Sequence, residues 1–319
     1  MSDEGYVFEW PLWGLQLDTA TAAPDEEFIV DGTLLYQPTW QQWSDMENGD
    51  VIEEHAGREV AAERLGMQTY SRPPICMLRL SSIDDSGEAD PTLIEQEEQA
   101  HALVAAFRLY ATGDFVNPDD VGIYMTYPNG FAVREVRAFR SAFYRYRPEH
   151  PYIVGIEDVE PLSGLAYWVS QCSTDRSHSN AALAIENFCL SFAQVTSWAE
   201  RGLYCFIALE AMLGSVHGAS ASASFAVRAA NAMNAQGDPA PDAPSWLERA
   251  GDLRNRLAHD IHAATLTQDD LTMLEAVTRG VLLSYLAYIS LGEGPETEGR
   301  HPLRAFNKAL AAGPIGDDT

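Results

Sequence analysis

The stretch LRNRLAHD places an arginine, an asparagine and a histidine close together, at Arg254, Asn255 and His259. Histidine exchanges protons near neutral pH, and arginine stays charged and offers a fork of donors that matches phosphate oxygens. RNA can be cut when its own 2′-hydroxyl attacks the adjacent phosphate. That step needs one proton removed, one proton supplied and the growing charge on phosphorus neutralised. Arginine and histidine suit this chemistry without a metal ion, but the same string also fits an ordinary solvated helix end, and both interpretations stay open.

A helix that begins at Ser245 must position these side chains. Glu248 lies three residues on, a spacing typical of a capping box. Thr267 and Asp270 have a similar spacing and predict the start of the last long helix, which runs to about Leu291. An apolar stripe at helical spacing predicts the face that packs on a core: Trp246, Ala250, Leu253, Leu257 and Ile261. The outward side carries four polar residues: Asp252, Asn255, Arg256 and His259. Arg254 lies at the edge of the stripe, about 140° around the helix from His259. In the functional interpretation, the outward row lines a cleft.

A carboxylate also stands inside an apolar run, at Glu210 in FIALEAMLG. Burying a charge there is costly unless the group is paired or hydrogen-bonded. An arginine of a neighbouring helix is the natural partner, and Arg228 and Arg254 are both candidates. The alternative is that Glu210 reaches solvent at a helix edge.

The order of these elements is itself a pattern. ERGLYCFIALEAMLG precedes an arginine-containing helix, AVRAANAMN, and a loop, DLRNRLAHD and a long apolar helix follow. An "ALE" helix followed by R-N-x-x-x-H, over about residues 180–292, resembles the Apea-like branch of the HEPN superfamily.

The resemblance implies a helical bundle that forms a homodimer and acts as a metal-independent endoribonuclease. Its active site would include Arg254 and His259 from both subunits, with Asn255 as the polar residue that often follows the arginine, and Glu210 and Arg228 in support. RNA would be the substrate, a protein trigger or antitoxin a further partner, and antiphage defence or a toxin–antitoxin pair the setting. No cofactor is expected. Members with an R-x4-H-x-Y motif carry tyrosine where this chain has Ile261, so regulation by tyrosine nucleotidylation is not expected.

A second basic region, with aromatic residues among its arginines, lies nearer the N-terminus. Its candidate RNA-binding residues are Arg134, Arg137, Arg140, Tyr144, Arg145 and Arg147. Basic and aromatic side chains together can hold single-stranded RNA through phosphate contacts and stacking. The favoured alternative is a face that pairs with the abundant carboxylates of this protein.

The remaining sequence predicts an α+β protein: a mixed α/β domain at 1–160, an all-α HEPN-like bundle at 161–295, and a tail with a short helix at 296–319. Four short runs rich in β-branched and aromatic residues read as strands: YVFEWPLWGLQLD, EEFIVDGTLLYQ, ICMLRLSS and VGIYMTYP. EQEEQAHALVAAFRLYATG reads as a helix because Ala100, Leu103, Val104, Phe107 and Tyr110 recur at helical spacing.

Composition limits the function classes. The formal net charge is −27, so any RNA site must depend on local positive charge. No signal peptide or membrane span is evident, and the four dispersed cysteines fit reduced thiols, so a cytoplasmic protein is expected. His259 and His262 could share a face, but further metal ligands are not obvious, and no metal site is predicted. The alternative to a nuclease is a HEPN-like module that binds RNA, a nucleotide or a protein without cutting.

Overall fold

The computed structural model describes residues 7–13, 15–19, 27–37, 75–81, 93–111, 122–126, 132–136, 152–192, 197–214, 219–236, 250–257, 266–291 and 302–313, some of them by backbone alone. These residues are mostly helical with a smaller set of strands, which confirms the α+β class. The chain divides into two compact units, Met1–Tyr167 and Trp168–Thr319. Sequence analysis placed the division between residues 160 and 161, inside what is a continuous helix, Val159–Thr174.

All eight strands of the described residues lie in the first unit. This unit also contains one long helix, and a second helix crosses from it into the second unit. The strands are β1 Val7–Trp13, β2 Leu15–Leu17, β3 Phe28–Val30, β4 Thr33–Tyr36, β5 Ile75–Ser81, β6 Gly122–Thr126, β7 Ala132–Val136 and β8 Tyr152–Val154. Helix α1 is Leu93–Tyr110, and α2 is Val159–Thr174. β1, β5, β4 and β3 form an antiparallel sheet in that order, β2 pairs with β8 in parallel, and β6 pairs with β7.

Two of the runs predicted as single strands each contain two strands. YVFEWPLWGLQLD contains β1 and β2. EEFIVDGTLLYQ forms the hairpin of β3 and β4, which turns at Asp31 and Gly32, both with positive φ (49° and 75°). Asp-Gly is the strongest sequence signal for such a two-residue turn, because glycine and aspartate tolerate this conformation. The turn is fixed by side chains: the Asp31 N–H donates to Ser163 Oγ at 2.9 Å, and Gln99 donates to the Asp31 carbonyl.

Helix α1 is the centre of the first unit. The stripe predicted from its sequence is confirmed, since Ala100, Leu103, Val104 and Phe107 are buried. Burial is wider than one stripe, because every residue of the range 102–109 is buried. The same core contains strand residues such as Leu12 and Val30 and the start of α2. The second half of α1 is therefore enclosed by neighbouring elements, which explains why its buried residues are not confined to one stripe.

The second unit is built of six described helices. They are α3 Ser179–Leu190, α4 Trp198–Leu213, α5 Ala219–Ala235, α6 over residues 250–257, α7 Gln268–Ser290 and α8 Pro302–Ala312. The apolar run that ends at Gly214, NAALAIENFCLSFAQVTSWAERGLYCFIALEAMLG, contains two helices, α3 and α4. Ser197 and Glu200 form a capping box that starts α4. The capping box predicted at Thr267 and Asp270 is confirmed as the start of α7. Among the described residues, no helix has the length and apolar character needed to span a membrane.

Helix α7 is the central helix of this unit and packs against α4, α5 and α8. It approaches α5 closely through small residues: a β-carbon at Gly280 would collide with the Met233 side chain, and Ser284 Oγ donates to the Ala232 carbonyl at 2.7 Å. Helix α8 is joined to the same group by Asn231, which donates to the Leu310 carbonyl, and by Asn307, which donates to the Met212 carbonyl. The segment expected as a tail therefore contributes to the packing of the unit.

Close packing at Gly280 leads to a stability prediction. Gly280→Val should lower the free energy of unfolding by about 1–3 kcal/mol, because a stiff branched side chain has to displace Met233 from a filled core. The control is Gly164→Ala, at an exposed helical position where a β-carbon meets nothing within 4 Å, and it should stabilise by up to about 1 kcal/mol. Denaturant unfolding measures both, and an unchanged midpoint for Gly280→Val would contradict the predicted collision.

A second prediction concerns alkaline pH. Burial raises the pKa of Tyr110 to about 12, and the bond from its hydroxyl to Asp158 Oδ1, at 2.6 Å, acts in the same direction. Tyrosine in an unfolded chain has a pKa of about 10. Because the folded value is the higher one, this stabilisation is complete below about pH 10 and is lost as the pH rises towards 12.

Tyr110→Phe should therefore show a smaller decline in unfolding free energy between about pH 9 and about pH 11 than the wild type. Thermal unfolding at both pH values measures the difference, and equal declines for wild type and Tyr110→Phe would refute the role of Tyr110.

Candidate functional site

Glu210 lies on the last turn of α4, between buried residues. Ala208, Leu209, Met212 and Leu213 around it are all buried, because this end of α4 packs into the core of the second unit. The helix ends at Gly214, whose φ of 81° suits glycine and whose N–H bonds the Glu210 carbonyl. The backbone at Glu210 is thus fixed by the helix end, and its carboxylate must find a partner close by.

That partner is Arg254. Its Nη2 lies 3.0 Å from Glu210 Oε2, and the two side chains are only 19% and 20% exposed. Of the two arginines proposed from the sequence, Arg254 therefore forms the ion pair. The bond joins the carboxyl end of α4 to α6, 44 residues later in the chain. Little solvent surrounds the pair, so its attraction is less screened than that of a surface pair.

The pair does not satisfy every polar atom of its two side chains. Glu210 Oε1 and Arg254 Nε are buried without a hydrogen-bond partner, and so is Arg228 Nε on α5. Burial lowers the pKa of Arg228 from its usual value. Thr33, Arg201 and Asn307, elsewhere among the described residues, also have such an atom, so this feature alone does not mark a site. The sequence had singled out Glu210, Arg228 and Arg254 on other grounds.

The apolar side of α6 fixes which way its polar residues point. Three residues of the predicted stripe, Ala250, Leu253 and Leu257, are buried, and the other two, Trp246 and Ile261, lie outside the described residues. Leu257 and Leu266 lie close to the backbone of α4 at Gly202, where an added β-carbon would be 3.3 Å and 3.0 Å from them. With this side packed against α4, Arg254 lies at the edge towards Glu210, and the opposite side of the helix is exposed.

The exposed side of α6 lines a cavity of about 620 Å³. Three residues of the predicted outward row border it, namely Asp252, Asn255 and Arg256. The facing wall comes from the start of α7, with Asp270 and Leu274, and Ala250 and Leu253 complete the lining. The volume is in the range of pockets that hold small molecules or single groups of larger ligands. The predicted cleft is therefore present along the described part of the row.

The described residues of the cavity lining do not form a basic site. They include two carboxylates, Asp252 and Asp270, and one guanidinium, Arg256. Asp270 Oδ2 is already bound to the Thr267 hydroxyl at 2.7 Å, as part of the cap of α7. Arg254 faces Glu210 and does not line this cavity. Asp270 was recognised in the sequence only as a capping residue, because nothing local shows that α7 begins opposite α6.

Several predicted residues lie outside the part of the chain that is described. His259 is one of them, and so are Ser245, His262, Arg137, Arg140, Tyr144, Arg145 and Arg147. Arg134 lies in strand β7, of which only the backbone is described, paired with Tyr124 of β6. Within the described residues, no group of three or more histidine, cysteine, aspartate or glutamate side chains is arranged to hold a metal ion.

Comparison of the chain with protein-family models, with curated proteins and with solved structures finds no match.

The ion pair gives a prediction about stability that is separate from catalysis. Arg254→Ala should lower the free energy of unfolding by about 1–3 kcal/mol, because it leaves a largely buried carboxylate without its counter-charge. Adding Glu210→Gln to Arg254→Ala should restore part of the loss, since the remaining group is then neutral. Arg256→Ala, on the exposed side of the same helix, is the control and should stay within about 0.5 kcal/mol of wild type. Urea unfolding of these four proteins and of Glu210→Gln alone tests this, and additive effects of the two changes at the pair would contradict a coupling between them.

Proposed function

We propose that the second unit is a HEPN-type endoribonuclease that cuts RNA without a metal ion, through attack of the 2′-hydroxyl on the neighbouring phosphate. The observation that carries the proposal is the Glu210–Arg254 ion pair. It attaches the arginine of the R-N-x-x-x-H string to the ALE helix, so that two sequence elements of the proposed family meet in one contact. The neighbouring Asn255 borders an open cavity.

Arg254 is suited to neutralise the charge that develops on phosphorus. The bond to Glu210 uses one donor of the guanidinium, on Nη2, and the fork has further N–H donors that could serve phosphate oxygens. The pair also reduces the conformations open to a long side chain before RNA binds, which lowers the entropy lost in the transition state. Glu210 thereby acts as a positioning residue.

His259 is assigned the proton transfers. It follows Asn255 by four residues, about one helical turn, and its imidazole can act as general base or general acid near neutral pH. Because His259 is about 140° from Arg254 around a helix, the two groups do not converge readily within one chain. A homodimer with a two-fold axis would bring the arginine of one protomer towards the histidine of the other.

A second candidate function is RNA, nucleotide or protein binding without cleavage. It is favoured by the acidic lining of the cavity, where Asp252 and Asp270 oppose a phosphate group. In this alternative the Glu210–Arg254 pair has a purely structural role, and the cavity takes up an uncharged part of the ligand.

The test is cleavage of total RNA and of a defined oligonucleotide by purified protein. His259→Ala should reduce the rate by about 10²–10⁴, the usual contribution of a general acid or base. His262→Ala is the matched control and should keep the wild-type rate, because it lies outside the R-N-x-x-x-H string. Size-exclusion chromatography establishes that each variant keeps the oligomeric state of the wild type.

The cut ends separate this mechanism from others. Cleavage should persist in chelator, leave 2′,3′-cyclic phosphate ends and fail on an oligonucleotide with a single 2′-deoxy group at the cut site. Equal rates for wild type and His259→Ala would end the nuclease proposal. RNA binding without cleavage by the wild type would leave the second candidate.

A further inference from the structure

Three polar residues of α6 form one exposed face beside the cavity. Asp252, Asn255 and Arg256 stand at positions i, i+3 and i+4, so their side chains lie within one turn of each other. An aspartate four residues before an arginine commonly forms an ion pair on a helix. Within the described residues no ion pair or hydrogen bond joins Asp252 to Arg256, and both side chains are exposed at the cavity. An acceptor and a forked donor therefore stand side by side on this face.

The remainder of the lining adds an apolar surface. Leu253 and Leu274 are buried side chains that border the cavity from α6 and α7, and Ala250 lies beside them. A ligand that fits both surfaces has a flat apolar face and a polar edge with neighbouring donors and acceptors. A nucleobase is such a group.

Charge decides which part of a nucleic acid can enter. Among the described lining residues two carboxylates stand against one guanidinium, a balance that disfavours a phosphate and favours a neutral group that donates to a carboxylate. Guanine has two adjacent donors, N1–H and N2–H, on one edge, and the acceptors O6 and N7 beside them. Adenine lacks that pair of donors, and uracil and cytosine each offer fewer donors to a carboxylate.

We propose that the cavity between α6 and the start of α7 binds an unpaired guanine base of single-stranded RNA. Asp252 accepts hydrogen bonds from N1–H and N2–H, and Arg256 donates to O6 and N7. The inference deepens the proposed function, because it names the base that the same site selects, and it rests on that proposal for RNA as the ligand. The phosphates on either side of the guanine stay outside the acidic cavity.

The experiment measures, by fluorescence anisotropy at fixed salt, the affinity of the full chain for labelled 2′-O-methyl RNA octamers, which lack the attacking hydroxyl and so are not cut by the proposed mechanism. The octamers are uridine throughout or carry one central guanosine, inosine or adenosine. A central guanosine should bind about tenfold or more tightly than adenosine, the size expected of a bidentate contact to a base. Inosine, which lacks the N2 amino group, should fall between them. Equal affinities for all four octamers overturn the proposal.

Variants then test the assigned contacts. Asp252→Asn and Arg256→Met should each remove most of the preference for guanosine, and Asp269→Asn, an exposed carboxylate next to the cavity wall, should keep it. A preference that survives in both cavity variants also overturns the assignment. Guanosine monophosphate as competitor separates the two sources of the base: displacement only at far higher concentration than the octamer supports RNA, and displacement at equal concentration refutes RNA in favour of a free nucleotide.

Failure of this inference differs from failure of the proposed nuclease. Binding selectivity is read without any cleavage, and it can be present when His259→Ala cuts as fast as the wild type. Conversely, cleavage that depends on His259 but is indifferent to guanosine would leave the nuclease standing and remove the base-binding site.

Discussion

The organisation of the second unit around α6 depends on the ion pair between Glu210 and Arg254. A carboxylate placed among buried residues at the end of α4 has a large desolvation cost, and a guanidinium at 3.0 Å offsets it. The bond fixes the rotation of α6 together with the burial of Leu253 and Leu257 on its apolar side. Once these two constraints are met, the remaining side of the helix has to face outward. The position of the polar face thus follows from a charge that cannot remain unpaired.

The same constraint places the two arginines of LRNRLAHD, Arg254 and Arg256, in different surroundings. Arg254 points towards α4 and Arg256 towards the cavity, although they are only two residues apart. Successive positions on a helix differ by about 100°, so neighbours two apart face different surroundings. One arginine is held by a carboxylate in a largely buried place, and the other is exposed beside Asp252. Substitutions at these two positions therefore affect different contacts, the ion pair with Glu210 at the first and the lining of the cavity at the second.

Local patterns predicted much of this arrangement. Apolar spacing located α1 and the stripe of α6, the Thr267–Asp270 spacing located the start of α7, and the isolated carboxylate in FIALEAMLG indicated an arginine partner. What local patterns could not predict depends on long-range packing. The wall of the cavity at Asp270 comes from a segment beyond a loop, and the choice of Arg254 over Arg228 depends on which helices meet. Two turn signals, Asp31-Gly32 and Ser197 with Glu200, were available in the sequence and were missed.

The strongly acidic composition bears on how such a site could act on RNA at all. A chain with a formal net charge of −27 repels a polyanion over most of its surface, so contact has to be made where a guanidinium is close or where the ligand is neutral. The described site has both features in separate places, with Arg254 held on one side of α6 and a mixed polar cavity on the other. A nucleobase in the cavity would place its own phosphates near the rim, away from Asp252 and Asp270. General repulsion combined with local recognition favours a selective ligand over indiscriminate binding of nucleic acid. The repulsion opposes every sequence equally, whereas the base contacts favour only a few sequences.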